Sequence, residues 1–217
     1  MRTADPRSPR AVMIRCAADL IARDGVAGTS IGDVLAAAGA ARGSVYYYFP
    51  GGRSELMAEA VRHAGEEFGA ELNRARRLPV VRAIGAIAAI WRSRLLVTDF
   101  AAGCPIAAGA QARGSDPEAA AAAEEVFLQW NHLLSARLRE EDFDDRRAEE
   151  LADSILSGIE GAVVLCRARR SVEPLDGMVA HLRELAGRRT ASPSADRERP
   201  EASDDFGGDR AGDPSLG

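Results

Sequence analysis

The sequence predicts an all-α fold of about nine helices, in which three N-terminal helices precede a larger helical domain. The 217-residue chain is 46% apolar but only 5% aromatic, and its abundant alanine is the strongest helix-forming residue. Apolar side chains recur every three or four residues along most of the chain, which is the spacing of helices that bury one face. Ser, Asp, Pro and Gly stand where these segments start and stop, as they do at helix ends.

The first segment has the pattern of an amphipathic helix. Ser8 is a suitable N-cap, Pro9 suits the first helical position, and Gly25 is suited to end the helix. Its apolar stripe follows the pattern i, i+1, i+4, i+7, i+8 and consists of Met13, Ile14, Ala17, Leu20 and Ile21.

Two short helices follow and are joined by a glycine-containing turn. The second helix is capped by Thr29-Ser30 and stops at Gly39, and the third spans about residues 42–49, up to the break at Pro50-Gly51-Gly52. Two short helices with such a turn are the pattern of a helix-turn-helix, whose second helix enters the major groove of DNA. We therefore expect residues 1–53 to form a DNA-binding domain.

All three tyrosines of the chain, Tyr46 to Tyr48, lie in the third short helix. Val45 and Phe49 are four residues apart and share the face that packs inward. Because successive residues turn by about 100°, the three tyrosines cannot all follow them. At least one or two phenols must face solvent or a ligand, where a hydroxyl can donate to phosphate. For Tyr48, packing under a loop remains an alternative.

The residues before the tyrosines, and the charge of this region, also favour DNA. Gly43 and Ser44 are small enough for the backbone to approach base edges, and Arg42 can reach a phosphate or a guanine. Residues 1–53 contain seven arginines and four aspartates, whereas the whole chain has a net charge of −5 and no lysine. A mildly basic N-terminal region on an acidic body fits a protein whose first ~50 residues meet an anion.

The remainder of the chain predicts a helical domain over residues 54–187. We expect a disordered tail over residues 188–217, because that segment has almost nothing to bury. The predicted helices run from a Ser54 cap to Pro79, from Val80 to Leu96, after Pro105, from Asp116-Pro117, over residues 146–169 and from Pro174.

Other classes of protein are disfavoured by the sequence. It contains no H-E-x-x-H, P-loop or G-x-G-x-x-G motif, and its three histidines and three distant cysteines do not assemble a catalytic or metal site. We therefore expect no enzyme activity, no cofactor, no metal and buried free thiols. The N-terminus lacks a signal-peptide core and no run of 18 apolar residues occurs, so we expect a cytoplasmic protein without a membrane partner.

The stretch "GVAGTSIGDVLAAAGAARGSVYYYFPGGRSELMAEAV" resembles the DNA-binding region of the TetR/AcrR family of regulators. Its hinge, "FPGGR", is one residue longer than the common form, and with "GCPIAAGA" at 103–110 it resembles the LmrA/YxaF-like branch. Ala41 departs from the frequent Ser or Pro, and an arginine replaces the usual lysine before the fourth helix. The positions that carry the resemblance are Gly25, Thr29, Ser30, Ala38, Gly39, Gly43, Tyr46, Phe49 and Arg53.

The resemblance implies a homodimer that binds an operator in double-stranded DNA. It puts Arg42, Ser44 and Tyr47 near bases, next to Gly43. It puts Thr29, Tyr46, Tyr48 and Arg53 near the DNA backbone, although Thr29 has the alternative of a plain helix cap.

In the family the last two helices form the dimer interface, and the wide apolar band at 151–166 agrees with a second buried face. The expected interface residues are Leu151, Ile155, Gly158, Ile159, Ala162, Met178 and Leu182. A thick core within one chain is the alternative explanation of the band.

The helical body would hold a small-molecule effector. The candidate pocket residues are Trp91, Leu95, Phe100, Cys104, Phe127 and Trp130, and ordinary core packing is the alternative for each aromatic residue. The function that the resemblance implies is a ligand-responsive regulator, a repressor that a lipophilic or aromatic effector releases from its operator. The alternative is a constitutive DNA-binding regulator without an effector.

Overall fold

The structure is a computed structural model that describes residues 5–41 and 43–187. These residues form nine helices and no strand, so the predicted all-α fold is confirmed. The predicted tail at 188–217 lies outside the described residues. The helices are α1 (Pro9–Gly28), α2 (Ile31–Ala38), α3 (Ser44–Tyr48), α4 (Gly52–Ala75), α5 (Val80–Val97), α6 (Pro105–Gln111), α7 (Pro117–Arg139), α8 (Asp145–Arg169) and α9 (Glu173–Gly187).

Helix α1 begins as predicted but extends beyond its predicted end. The Ser8 hydroxyl accepts from the Ala11 amide at 3.3 Å, and Pro9 occupies the first turn. Gly25 has a non-helical backbone (φ 76°, ψ 170°), a conformation open to glycine because it has no Cβ. The chain therefore bends at Gly25 and resumes a helical path as far as Gly28.

Helix α2 is short because strong local signals bound it at both ends. Ser30 and Asp33 form a reciprocal capping box: each side chain accepts from the other residue's backbone amide at 3.2 Å. Gly39 ends α2 in the left-handed region at φ 62°. Helix α3 starts at Ser44, two residues later than predicted.

Helix α4 joins the N-terminal helices to the rest of the molecule. It begins at Gly52, two residues before the predicted Ser54 cap, because the Gly51 amide donates to Glu55 Oε2 at 2.7 Å and closes the first turn. It packs against α1 on one side and against α5, α6 and α7 on the others. A tilt of α4 would therefore act on both parts of the molecule.

The core of the body lies between α4, α5, α7 and α8, and α9 packs on α5 and α8. Trp91 of α5 and Trp130 of α7 are among its largest buried side chains. In the part of the chain that the structure describes, no helix is both long enough and apolar enough to cross a membrane.

Candidate DNA-binding surface and ligand groove

Helix α3 divides its aromatic side chains between the core and the solvent. Val45 and Phe49 have no exposed surface, whereas Tyr46 is 65% exposed and Tyr47 is 80% exposed. The inward pair belongs to the hydrophobic core, and the guanidinium of Arg10 in α1 lies 5.0 Å from the centre of the Phe49 ring. Two phenols are thus presented outward from an anchored helix.

The neighbours of the exposed tyrosines leave the surface of α3 open. Tyr48 is half-buried, and its ring meets that of Tyr47 edge-on at 4.9 Å. Gly43 is exposed, and a Cβ placed on it would meet no atom within 4 Å. The Ser44 hydroxyl donates to the Ala41 carbonyl at 2.6 Å. Arg42 lies outside the described residues.

Thr29 is turned away from solvent. It is 1% exposed, and its hydroxyl donates to the Gly25 carbonyl at 2.9 Å. This bond satisfies a carbonyl at the bend of α1 and fixes the path into α2. These contacts are those of a structural helix cap, which the sequence indicates as the alternative to a DNA contact for Thr29.

Arg53 faces the inside of the molecule. Its guanidinium donates to Asp116 Oδ2 at 2.9 Å, to the Thr29 carbonyl at 3.2 Å and to the Val26 carbonyl. Asp116 has no exposed surface, and its Oδ1 caps α7 by accepting from the Ala119 amide at 3.2 Å. Each guanidinium nitrogen is thus engaged within the protein, so the arginine joins α1, α4 and α7 in addition to any contact it makes with phosphate.

Most of the predicted pocket residues form closed packing instead of a cavity wall. The ring of Phe68 lies 5.2 Å from Trp91 and 4.8 Å from Trp130, and the Trp130 indole donates to the Gly65 carbonyl at 3.3 Å. Leu95 has no exposed surface, and Phe100 lies under the Arg170 guanidinium at 6.0 Å. Trp91 and Trp130 are each 2% exposed.

A groove of about 690 Å³ runs between α7 and α8. Of the six predicted pocket residues, Phe127 is the one that lines it. The groove is lined by Glu124, Phe127, Leu128, Asn131, Glu149, Asp153, Leu156, Ser157 and Glu160. Its floor is apolar and its rim is acidic, with no arginine among the lining residues.

A second cavity, of about 260 Å³, adjoins the groove through Glu160. It lies between the end of α1 (Ile21–Gly25), the start of α6 and α8, and Cys104 lines it. Burial raises the pKa of Glu160 to about 7, although the hydrogen bond from the Cys104 thiol opposes this. Burial, with the Glu160 carboxylate, raises the pKa of the Cys104 thiol well above its usual value. A protonated thiol is a poor nucleophile, so Cys104 lacks the lowered pKa of a redox-sensing cysteine.

The predicted dimer residues are mostly buried within one chain. Leu151, Ile155, Ile159, Ala162 and Leu182 are each less than 5% exposed. A Cβ on Gly158 would lie 2.9 Å from Met178 Sδ, so this glycine admits α9 of its own chain. We name the accessible face of the two helices the α8–α9 stripe. It consists of Ser154, Ser157, Gly161, Val164, Leu165 and Ala168 of α8 with Gly177, Ala180, His181 and Glu184 of α9.

Sequence reasoning missed two residues of the site. Asp116 was assigned only to a helix start, because its partner Arg53 is 63 residues away along the chain. The sequence does contain a feature that marks Glu160. It is the one acid between Leu156 and Cys166, inside an otherwise apolar band. A lone acid in such a band needs a partner or a function.

Comparison with sequence families matches both parts of the chain. Residues 14–60 match the family described as bacterial regulatory proteins, tetR family. Residues 80–181 match the family described as transcriptional regulator LmrA/YxaF-like, C-terminal domain. The two matches cover the helix-turn-helix and most of the helical body respectively.

Related proteins agree with these matches. An HTH-type transcriptional regulator of Mycobacterium tuberculosis is 41% identical over 185 residues, covering 82% of this chain and 94% of the relative. The HTH-type transcriptional regulator LmrA of Bacillus subtilis is 26% identical over 170 residues, covering 76% and 90%.

Solved structures show the same fold. The regulatory protein TetR from Rhodobacter sphaeroides has a TM-score of 0.73 at 20% identity, over 80% of this chain and 96% of that one. A TetR transcriptional regulator from Chloroflexus aurantiacus has a TM-score of 0.67 at 25% identity, over 81% and 92%. TetR-family regulators bind DNA and act as dimers. The predicted family is confirmed: this chain is a DNA-binding transcriptional regulator of the TetR family, with a C-terminal domain of the LmrA/YxaF-like kind.

Proposed function

We propose that the protein is a dimeric repressor that reads its operator with α3 and is released by a small lipophilic or aromatic molecule. The observation that carries this proposal is the exposure of Tyr46 and Tyr47 on a helix whose Val45 and Phe49 are fully buried. A helix anchored in this way presents its outer side chains to the major groove with little loss of conformational freedom on binding. Arg42 and Ser44 complete the proposed base-reading set.

We propose that two copies meet through the α8–α9 stripe. Gly161, Ala168 and Ala180 are small and allow close helix approach, while Val164 and Leu165 are 55% and 46% exposed in one chain and would be buried on association. This would place two copies of α3 on one side of the dimer, facing half-sites about one DNA turn (~34 Å) or a multiple apart.

We propose that the effector binds in the groove between α7 and α8. Its volume of about 690 Å³ suits a small organic molecule, and Phe127, Leu128 and Leu156 give it apolar walls. The Arg53–Asp116 ion pair connects the start of α7 to the hinge of the helix-turn-helix. A ligand that moves α7 would thus act on the separation of the two α3 helices.

The test begins with a DNase I footprint on the DNA upstream of the protein's own gene. Operator binding is then titrated with a panel of aromatic compounds, and the melting temperature of the protein is followed with the same panel. A compound that raises the melting temperature and weakens operator binding supports an effector-released repressor. A footprint that no compound weakens supports the constitutive alternative, and the lack of any footprint on this DNA or on DNA selected from random sequence refutes the proposal.

A further inference from the structure

The side chains that line the α7–α8 groove are mainly apolar or acidic. Phe127, Leu128 and Leu156 supply an apolar surface, and four of the nine lining residues are carboxylic acids: Glu124, Glu149, Asp153 and Glu160. A groove with this lining has low affinity for organic anions, because an anion would lose water and meet like charge.

Three of the four carboxylates already have partners at the rim. Glu124 accepts from Arg113 at 3.0 Å, and Glu149 accepts from Arg139 at 2.9 Å. Asp153 accepts from the Asn131 amide at 2.6 Å. Two of the three rim carboxylates are therefore paired with arginines, and the third accepts from a neutral amide.

Glu160 differs from the rim acids in its surroundings. The Cys104 thiol, a weak donor, hydrogen-bonds to the same carboxyl group. The Oε2 atom of Glu160 is inaccessible to solvent and has no hydrogen-bond partner within residues 5–41 and 43–187. No ion pair in that part of the chain joins Glu160 to an arginine: Arg167, which lines the adjoining cavity, donates instead to the Arg23 and Ala101 carbonyls at 3.1 and 2.9 Å. A buried acceptor without a partner is costly, and a cation or donor from outside would satisfy it.

We propose that the groove binds a lipophilic organic cation, whose positive charge pairs with Glu160 and whose apolar body packs on Phe127, Leu128 and Leu156. The ligand class is a protonated amine, a quaternary ammonium or a similar onium ion carried on an aromatic or aliphatic framework. The ring of Phe127 adds a cation–π surface beside the carboxylate. This inference rests on the proposed function and narrows the effector of the same site to one charge class.

The position of Glu160 also gives the cation a route to the DNA-binding helices. The second cavity, which Glu160 shares, reaches the end of α1 at residues 21–25. The Gly103 amide donates to the Ala22 carbonyl at 2.7 Å, and Arg167 of α8 donates to the Arg23 carbonyl. A shift of α8 around a bound cation would therefore pull on α1, which packs directly on α2.

The test uses tetraphenylphosphonium as a permanently charged probe and triphenylphosphine oxide as a neutral aromatic probe. Binding of each is measured by isothermal titration calorimetry at pH 8 on the full chain, on Glu160→Gln and on Glu66→Gln. Glu66 is an exposed acid of α4 outside the groove, so its variant makes the same change of charge elsewhere. We expect Glu160→Gln to weaken binding of the cation at least tenfold, Glu66→Gln to bind it as the wild type does, and the neutral probe to bind both variants equally.

Several results would overturn the inference. These are equal affinity of wild type and Glu160→Gln for the cation, a preference for the neutral probe, or no binding of the cation by wild type. A second variant, Leu156→Arg, places a fixed cation on the groove wall and should also block the probe, so the test does not depend on Glu160→Gln alone.

Two further measurements separate this inference from the other proposals. Sedimentation of Glu160→Gln should show an unchanged monomer–dimer equilibrium; a weakened dimer would mean that the groove belongs to the subunit contact and would overturn the inference. Operator footprinting is carried out without probe. A missing footprint with intact cation binding would refute the repressor proposal and support the cation site. A footprint without cation binding would support the repressor proposal and refute the cation site.

Discussion

The guanidinium of Arg53 and the carboxylate of Asp116 meet at 2.9 Å, where the start of α4 lies against the N-terminus of α7. Asp116 is fully buried and also caps α7, so one carboxylate serves both the hinge of the helix-turn-helix and a wall of the groove. The pair is therefore a direct mechanical connection between the surface proposed to read DNA and the site proposed for the effector.

Removal of the Arg53 side chain should destabilise the protein. Arg53→Ala leaves Asp116 buried without its cation, and we expect the free energy of unfolding to fall by about 1–3 kcal/mol. Urea denaturation measures this loss, and a double-mutant cycle with Asp116→Asn should give non-additive changes. The control is Arg146→Ala, which breaks an exposed ion pair with Glu150 and should cost under about 0.5 kcal/mol. Unchanged stability with reduced DNA affinity would assign Arg53 to phosphate contact alone.

The α8–α9 stripe makes a specific prediction about assembly. Val164→Asp should leave the chain folded, because Val164 is 55% exposed in one chain, and should weaken the dimer by at least a hundredfold, about 2.7 kcal/mol. Sedimentation equilibrium measures the dissociation constant. Val97→Asp makes the same substitution at an 84% exposed site on α5 and should leave the dimer intact. Equal dimer affinities for the two variants would exclude the stripe.

Ile159→Asp tests the same region differently. Ile159 is 4% exposed within one chain, so a charge there should unfold the protein before it separates the subunits. A folded Ile159→Asp monomer, detected by circular dichroism and sedimentation together, would mean that Ile159 contacts the partner, as the sequence alone predicts.

Trp130 and Phe127 should have different roles, although they are only three residues apart on α7 and their rings are in contact. Trp130 packs on Phe68 in the core, so Trp130→Ala should cost roughly 3–5 kcal/mol of stability. Phe127 is half-buried and lines the groove, so Phe127→Ala should cost less stability and reduce ligand affinity. Thermal melts and ligand titrations measure the two effects. The assignment fails if Trp130→Ala is stable and loses ligand binding while Phe127→Ala retains it.

The sequence predicts where the helices begin and end better than it predicts what each buried helix face packs against. Caps such as Ser8, Ser30 and Asp116 depend on local hydrogen bonds, which are visible in the order of residues. Hydrophobic periodicity shows that a face is buried, but it does not tell whether that face packs on its own chain or on a partner. The apolar band and the family resemblance predict Ile155 and Ile159 at the contact with a partner, with a thick core within one chain as the alternative. The structure buries both side chains within their own chain.

Long-range polar contacts are the second class of feature that the sequence did not reveal. The partner of Arg53 lies 63 residues away, and nothing in the local pattern indicates whether an arginine before α4 meets a phosphate or a buried aspartate. Conversely, the angle per residue of a helix and the inward pair Val45 and Phe49 predict that at least one or two of the three tyrosines face outward. The structure has Tyr46 and Tyr47 exposed.

The buried carboxyl group of Glu160 should make stability depend on pH. Burial raises its pKa from 4.5 to about 7, so between these values the folded state holds a proton that the unfolded chain has released. Stability should therefore fall as pH rises from 4.5 to 7, by up to about 3 kcal/mol. The other titratable groups lining the two cavities are Glu124, Glu149, Asp153, Cys104, Arg23, Asp24 and Arg167.

Glu160→Gln isolates the contribution of that group. The variant carries no charge at any pH, so at pH 8 it should melt at a higher temperature than the wild type, and the difference should shrink towards pH 5. Glu66→Gln serves as the control and should show no such trend. If the melting temperatures of the wild type and of Glu160→Gln change in parallel with pH, the pKa of Glu160 is not raised.

The central claim is that α3 reads the operator with its exposed tyrosines, and the most direct test is quantitative footprinting with Tyr47→Ala. Tyr47 is 80% exposed, so its removal should leave folding and dimerisation unchanged. The loss of its contact should weaken operator binding by roughly 1–3 kcal/mol, which is about 5-fold to 150-fold, while non-specific DNA binding changes little. Val97→Ala, on the body, should bind the operator as the wild type does. Wild-type operator affinity in Tyr47→Ala, with a normal melting curve, would contradict the account.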